Sequence, residues 1–117
     1  MKIVSLALIA LPVAVSAAPL PKPAEFAVCS ACHKVDAGAP NGIGPNLWGV
    51  STRVSGSAPG FNYSPAMKAA KIKWNKKELT AFIQNPQQRV PGNKMPYPGQ
   101  KDPAKAGAIA DYLVSLK

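Results

Sequence analysis

Cys29-Ser30-Ala31-Cys32-His33 is the stretch that decides how this 117-residue chain folds. Two thiols three residues apart, near the end of a helix, can add to the two vinyl groups on one edge of a porphyrin. The adjacent histidine is then tethered so closely that its imidazole becomes the axial nitrogen donor to the iron. His33 is the only histidine, and Cys29 and Cys32 are the only cysteines. Two rival readings use the same residues. A redox-active disulfide of the thioredoxin type needs a parallel sheet of βαβ units, and the chain shows no strands to build one. A zinc site needs a fourth ligand that two cysteines and one histidine leave unidentified. The motif therefore predicts one covalent haem, attached through Cys29 and Cys32.

The flanking sequence predicts an all-α domain of helices and long loops. Pro19, Pro21 and Pro23 make residues 18–23 an extended leader, because each fixes its own φ and disfavours helix in the residue before it. A short helix is expected from Ala24 to Cys32, with Pro23 at its first position and Glu25 in the first turn, where the helix dipole favours negative charge. Asp36 to Gly60 carries glycines at 38, 42, 44, 49, 56 and 60 and prolines at 40, 45 and 59, without lasting periodicity. A structureless stretch of that length is unusual in a small domain unless it wraps something. Ser64-Pro65 opens a short helix, and Asn75 with Glu78 gives a capping-box-like start to a longer one. Asn85-Pro86 ends that helix, and residues 86–101, with prolines at 86, 91, 96 and 98, read as loop. Asp102-Pro103 opens the last helix, on which Ala106, Ile109, Ala110, Leu113 and Leu116 form one apolar stripe. Asn41-Gly42 is the one hairpin-like dipeptide, and its flanks do not make strands.

Beyond Met1 the chain has two methionines, Met67 and Met95. Met95 lies in the proline-rich stretch Val90-Pro91-Gly92-Asn93-Lys94-Met95-Pro96-Tyr97-Pro98, which suits a loop held rigidly over the second face of a haem. Met67 sits in a helix beside Ala66 and Ala69 and reads as a core filler. A neutral thioether favours ferrous over ferric iron. With His33 and Met95 both bound, the iron has no vacancy for a substrate, which predicts a one-electron carrier rather than an enzyme. The alternative is a haem enzyme or sensor from which Met95 departs, and a thiol oxidoreductase without haem is the other.

Lys2, the apolar run from Ile3 to Leu11 and the small residues up to Ala18 predict a secretory signal peptide over residues 1–17, cleaved after Ala17 with Val15 and Ala17 as the recognition pair. Pro12 interrupts the run, which is too short to span a bilayer. Residues 18–117 then form a single domain in the periplasm, too small to bury a large core by its own side chains. Removing Lys2 from the chain's 14 basic residues leaves 13 against 5 acidic ones, a net charge of +8. Such a surface favours acidic partners. No nucleic-acid recognition motif is visible, and at most a transient membrane-surface contact is expected of a monomer.

The sequence also resembles the class I cytochromes c, mitochondrial type and bacterial periplasmic relatives, over residues 26–117. Besides Cys29-x-x-Cys32-His33, the likeness rests on Gly44-Pro45-Asn46-Leu47-Trp48-Gly49-Val50, Arg53, Ala58-Pro59-Gly60-Phe61-x-Tyr63, Ile72-x-Trp74, Phe82-Ile83-x-Asn85-Pro86, Pro91-Gly92-x-Lys94-Met95 and Ile109-Ala110-x-Tyr112-Leu113. The resemblance implies that the Pro45 carbonyl accepts a hydrogen bond from His33, that Tyr63 and Trp74 donate to a buried haem propionate, and that Arg53 offsets its charge. It also implies partners that dock on lysines around the haem edge, of which Lys94 and Lys101 match while Gln87 and Gln88 do not. Prolines shorten the first helix relative to many relatives, so Phe26 against Ile109 and Tyr112 must supply more of its packing. Phe82 stands where relatives often carry a tyrosine, and Met67 where a polar residue is common.

Overall fold

The computed structural model describes residues 3–12 and 17–117. Residues 1–2 and 13–16, which include Val15 of the expected cleavage pair, lie outside the described residues. Residues 3–12 have no regular secondary structure, and their apolar side chains from Ile3 to Leu11 are exposed to solvent. No helix among the described residues is long and apolar enough to cross a membrane.

From residue 17 the chain runs extended to Pro23 and is tied to the C-terminus where the Leu20 amide donates to Ser115 Oγ at 3.0 Å. Helix then begins one residue later than the prolines suggested. Pro23 is the cap, with φ −67° and ψ 151°, a 3-10 turn covers Ala24–Phe26, and α1 is only Ala27–Ser30. Cys29 is thus inside the helix and Cys32 just beyond it, where the amides of Cys32 and His33 both turn back to the Cys29 carbonyl at 3.1 and 2.9 Å. The long glycine-rich stretch is loop, apart from a 3-10 turn at Val50–Thr52.

α2, Pro65–Ala70, starts as expected on Ser64, whose side chain accepts from the Met67 amide, and stops at Lys71 in a left-handed conformation, φ 50°. α3, Lys76–Gln84, starts on Asn75, whose side chain accepts from the Glu78 amide at 2.9 Å. The reciprocal half of a capping box is not made, because Glu78 is engaged elsewhere: its Oε2 accepts from Arg89 Nε at 2.7 Å. That arginine belongs to α4, Pro86–Arg89, a short helix in a stretch read from the sequence as loop. Asn85 explains it, since its extended backbone ends α3 while its side chain caps α4 by accepting from the Gln88 amide. The last helix, α5, is Pro103–Val114, with Asp102 accepting from the amides of Ala104 and Lys105.

The fold is helical, with no sheet among the described residues; one isolated bridge pairs Val54 with Lys73. α3 packs most extensively on α5, whose predicted stripe of Ala106, Ile109, Ala110 and Leu113 is buried, with Leu116 just beyond its end. The turn before α1 inserts Phe26, 0% exposed, edge-on against Tyr112 at a centroid distance of 5.0 Å. One large ring therefore anchors the whole cysteine-bearing segment to α5. Burying a side chain of that size contributes about 1.5–3 kcal/mol. Cys29, Leu47, Met67 and Phe82 lie partly buried on this core.

Candidate functional site

His33 is held from two sides. Its Nδ1 donates to the Pro45 carbonyl at 2.8 Å. A carbonyl can only accept, so Nδ1 carries the proton and Nε2 keeps its lone pair for a metal. Burial pushes the imidazole below its ordinary pKa, with the Pro45 carbonyl acting the other way. The ring is therefore neutral, the form that ligates. Gly44 closes over it: a β-carbon there would lie 2.6 Å from Cε1 and 2.8 Å from Nδ1 of His33.

The loop carrying Pro45 is itself fixed by side-chain amides. Asn46, 9% exposed, donates through Nδ2 to the carbonyls of Asp36 and Ala39, accepts at Oδ1 from the Trp48 amide, and receives Arg53 Nη2 on its carbonyl at 2.7 Å. Asn41 accepts from the Asn46 amide and donates to Pro59. Arg53 then leads to Trp74, whose backbone amide donates to the Arg53 carbonyl at 3.3 Å. Pro45, Arg53 and Trp74 are thus joined to His33 in one network, with Trp74 edge-on to Phe82 at 5.3 Å.

Tyr63 and Met95 belong to a second group. The Tyr63 hydroxyl accepts from the Ala58 amide at 3.0 Å, which leaves its own hydrogen to donate. Its ring meets Phe61 edge-on at 4.8 Å, and Lys94 Nζ stands 5.2 Å from the Phe61 centroid, beside Met95 in sequence. Met95 is half-buried, its amide donating to Asn93 Oδ1 at 2.9 Å and its carbonyl accepting from the Tyr97 amide. Tyr97 is pushed above its ordinary pKa, chiefly by burial. Lys101, read as a docking lysine, donates to the carbonyls of Gln84 and Pro98, both at 3.0 Å.

Cys29 and Cys32 are free thiols, both partly buried. Burial raises the Cys29 pKa, and the neighbouring Cys32 adds to the shift against a lowering from a backbone hydrogen bond. Among the described residues there is no cluster of three or more His, Cys, Asp or Glu that could hold a metal ion by itself. The donor set is instead two thiols beside one neutral imidazole whose ring is pressed by a residue without a side chain. Those residues fit a porphyrin bound through two thioethers, and the class they define is the small helical protein with one covalent haem.

The comparisons agree. The family model for cytochrome c matches residues 24–117. Cytochrome c2 of Rhodoblastus acidophilus is 44% identical over 92 residues, 79% of this chain and 86% of the relative. Cytochrome c2 of Rhodopila globiformis is 47% identical over 90 residues, 77% and 84% of the two chains. The structure of cytochrome cH from Methylobacterium extorquens superposes with a TM-score of 0.71 at 38% identity, covering 77% of this chain and 90% of that one. The chain belongs to the cytochrome c family. It is an electron-transfer protein, not an enzyme, and its cofactor is haem c bound at Cys29 and Cys32.

Sequence reasoning missed Asn46 and Asn93 as determinants of the site. Asn46 stands in the quoted motif directly after Pro45, which was the available signal; Asn93 is the unspecified position of Pro91-Gly92-x-Lys94-Met95 and carried none.

Proposed function

We propose that this chain is a periplasmic one-electron carrier in which His33 and Met95 bind the haem iron from opposite faces. Haem supplies an iron that alternates between ferrous and ferric states. Pro45 orients His33, and the neutral thioether of Met95 favours the ferrous state. Tyr63 and Trp74 donate to a propionate whose charge Arg53 offsets, as burying a carboxylate requires. Residues 1–17 act as the export signal, and residues 18–117 work as a monomer that meets membrane or periplasmic redox complexes through acidic docking surfaces. Contact with a membrane surface is transient, and nucleic acid is not a partner. The names of the cytochrome c2 relatives fit this reading.

The observation that supports it is the 2.8 Å bond from His33 Nδ1 to Pro45, which leaves the Nε2 lone pair available to a metal. The test is the spectrum of the matured ferric protein. The weak far-red band of sulfur-to-iron charge transfer should be present, should vanish in Met95→Ala and should survive in Met67→Ala. Loss of the band in Met67→Ala alone would move the ligand to Met67.

A further inference from the structure

Asn93 is the most heavily engaged side chain near the proposed second ligand. It is 7% exposed. Its Nδ2 donates to the carbonyls of Pro86 and Val90, both at 2.9 Å, so both amide hydrogens have acceptors. Its Oδ1 accepts from the Met95 amide at 2.9 Å. Its backbone carbonyl accepts from Gln87 Nε2 at 2.8 Å, and its backbone amide donates to Val90 at 3.1 Å. Gln87 closes the frame by accepting from the Gly92 amide at 3.3 Å.

The amide can sit only one way round. Reversed, its NH2 would face the Met95 N–H and its oxygen would face two carbonyls, three repulsive contacts in place of three bonds. α4 is in turn braced to α3 by the Arg89–Glu78 pair. A path of short bonds therefore runs from α3 through α4 to Asn93 and ends on the backbone of Met95.

We infer that Asn93, backed by Gln87, is a positioning residue that sets how firmly Met95 holds its place at the iron, and so how readily an outside ligand can replace it. The inference rests on Met95 being the ligand. Fixing the Met95 backbone limits how far the segment that carries the thioether can move away when the thioether leaves. Losing the amide frees that backbone and removes the second donor from the carbonyls of Pro86 and Val90, which keep only their backbone donors, the amides of Val90 and Asn93.

The test titrates imidazole, which competes with the thioether, into the ferric holoprotein while the far-red band is followed. Loss of one net hydrogen bond corresponds to roughly a tenfold change in an equilibrium. Asn93→Ala should lower the imidazole concentration for half-displacement about tenfold or more. Gln87→Ala, at an exposed position and lacking only the outer half of the frame, should lower it by less. Amide exchange should quicken at Met95 and stay unchanged along α5, which separates local loosening from general destabilisation. Asn93→Ala with the parent's imidazole sensitivity would overturn the inference. If Asn93→Ala does not fold, Gln87→Ala decides: an unchanged midpoint overturns the proposal and a lowered one supports it. Survival of the far-red band in Met95→Ala would instead sink the ligand assignment.

Discussion

Gly44→Ala should destabilise the protein although it adds one methyl group. The backbone at Gly44 is not in the left-handed region, so the penalty that a side chain meets there does not apply. The cost is steric. The new carbon would stand 2.6, 2.8 and 3.1 Å from Cε1, Nδ1 and Nε2 of His33, well inside van der Waals contact. Neither side can yield cheaply. The ring is tied to Pro45 and, through the backbone, to the adjacent Cys32, while the Gly44 backbone is pinned by its own bond to the Cys32 carbonyl at 2.9 Å and by the Gly42 amide at 3.0 Å.

Overpacking of this kind costs about 1–3 kcal/mol. In a domain of this size each kcal/mol shifts Tm by about 4–8 °C, so Gly44→Ala should melt at least ~4 °C below its parent by calorimetry. The same chemical change at Gly107 is the control. Gly107 lies inside α5 with nothing within 4 Å of its β-carbon position. Replacing it with alanine removes a helix-interior glycine worth about 0.5–1 kcal/mol, so Tm should rise. A Gly44→Ala protein that melts with or above its parent, while Gly107→Ala behaves as expected, would refute the claim that this glycine exists to admit the imidazole.

Glu78 is held below the usual carboxylate pKa by its hydrogen bond to Arg89, so its contribution to stability is present above the ordinary value of 4.5 and is lost as pH falls through the lower folded value. Thermal melts of the parent and Glu78→Gln should therefore differ at pH 7 and converge in acid; a constant difference would exclude the pair as the cause. Asp102→Ala removes a cap that accepts from two α5 amides and should cost about 1 kcal/mol by denaturant unfolding, an unchanged midpoint counting against it. Lys94→Glu should slow electron transfer to an acidic partner severalfold at low salt and match the parent at high salt, as stopped-flow mixing would show; equal rates at low salt would remove Lys94 from the docking surface.

The elements that could be read from the sequence are those whose signal is local. α5 declares itself by Asp102-Pro103 and a five-residue stripe, and α3 by Asn75. α4 stayed hidden because its four residues, Pro-Gln-Gln-Arg, carry no period, and because Asn85 acts as terminator and cap at once. The first helix ends two residues before the expected Cys32 for a related reason: the cysteine motif looks helical, but after Ser30 the amides of Cys32 and His33 converge on a single carbonyl, that of Cys29. The motif residues themselves were legible, since Cys29, Cys32 and His33 lie together in a short signature for covalent haem attachment.

What the sequence concealed is the means by which a loop-rich chain keeps the segments that carry His33 and Met95 still. A sheet or a long helix satisfies backbone groups by repetition, which leaves a periodic trace; a loop has no such ladder, and its buried carbonyls need individual donors. Here asparagines supply them. Asn46, with Asn41 beside it, satisfies the stretch that orients His33, and Asn93 satisfies the stretch that carries Met95. Both reach carbonyls between three and ten residues away, on paths that depend on the loop's final shape, so composition alone could not assign them. The same physics explains the match with prolines: a proline has no amide to satisfy, and Pro45 and Pro86 each offer only a carbonyl, one taken by the imidazole and the other shared by the Val90 amide and Asn93. The two sides of the site are therefore stiffened by one device, an amide that donates into the carbonyls of a proline-bearing loop. It follows that changing Asn46 should perturb His33, and changing Asn93 should perturb Met95, more than either perturbs the hydrophobic core.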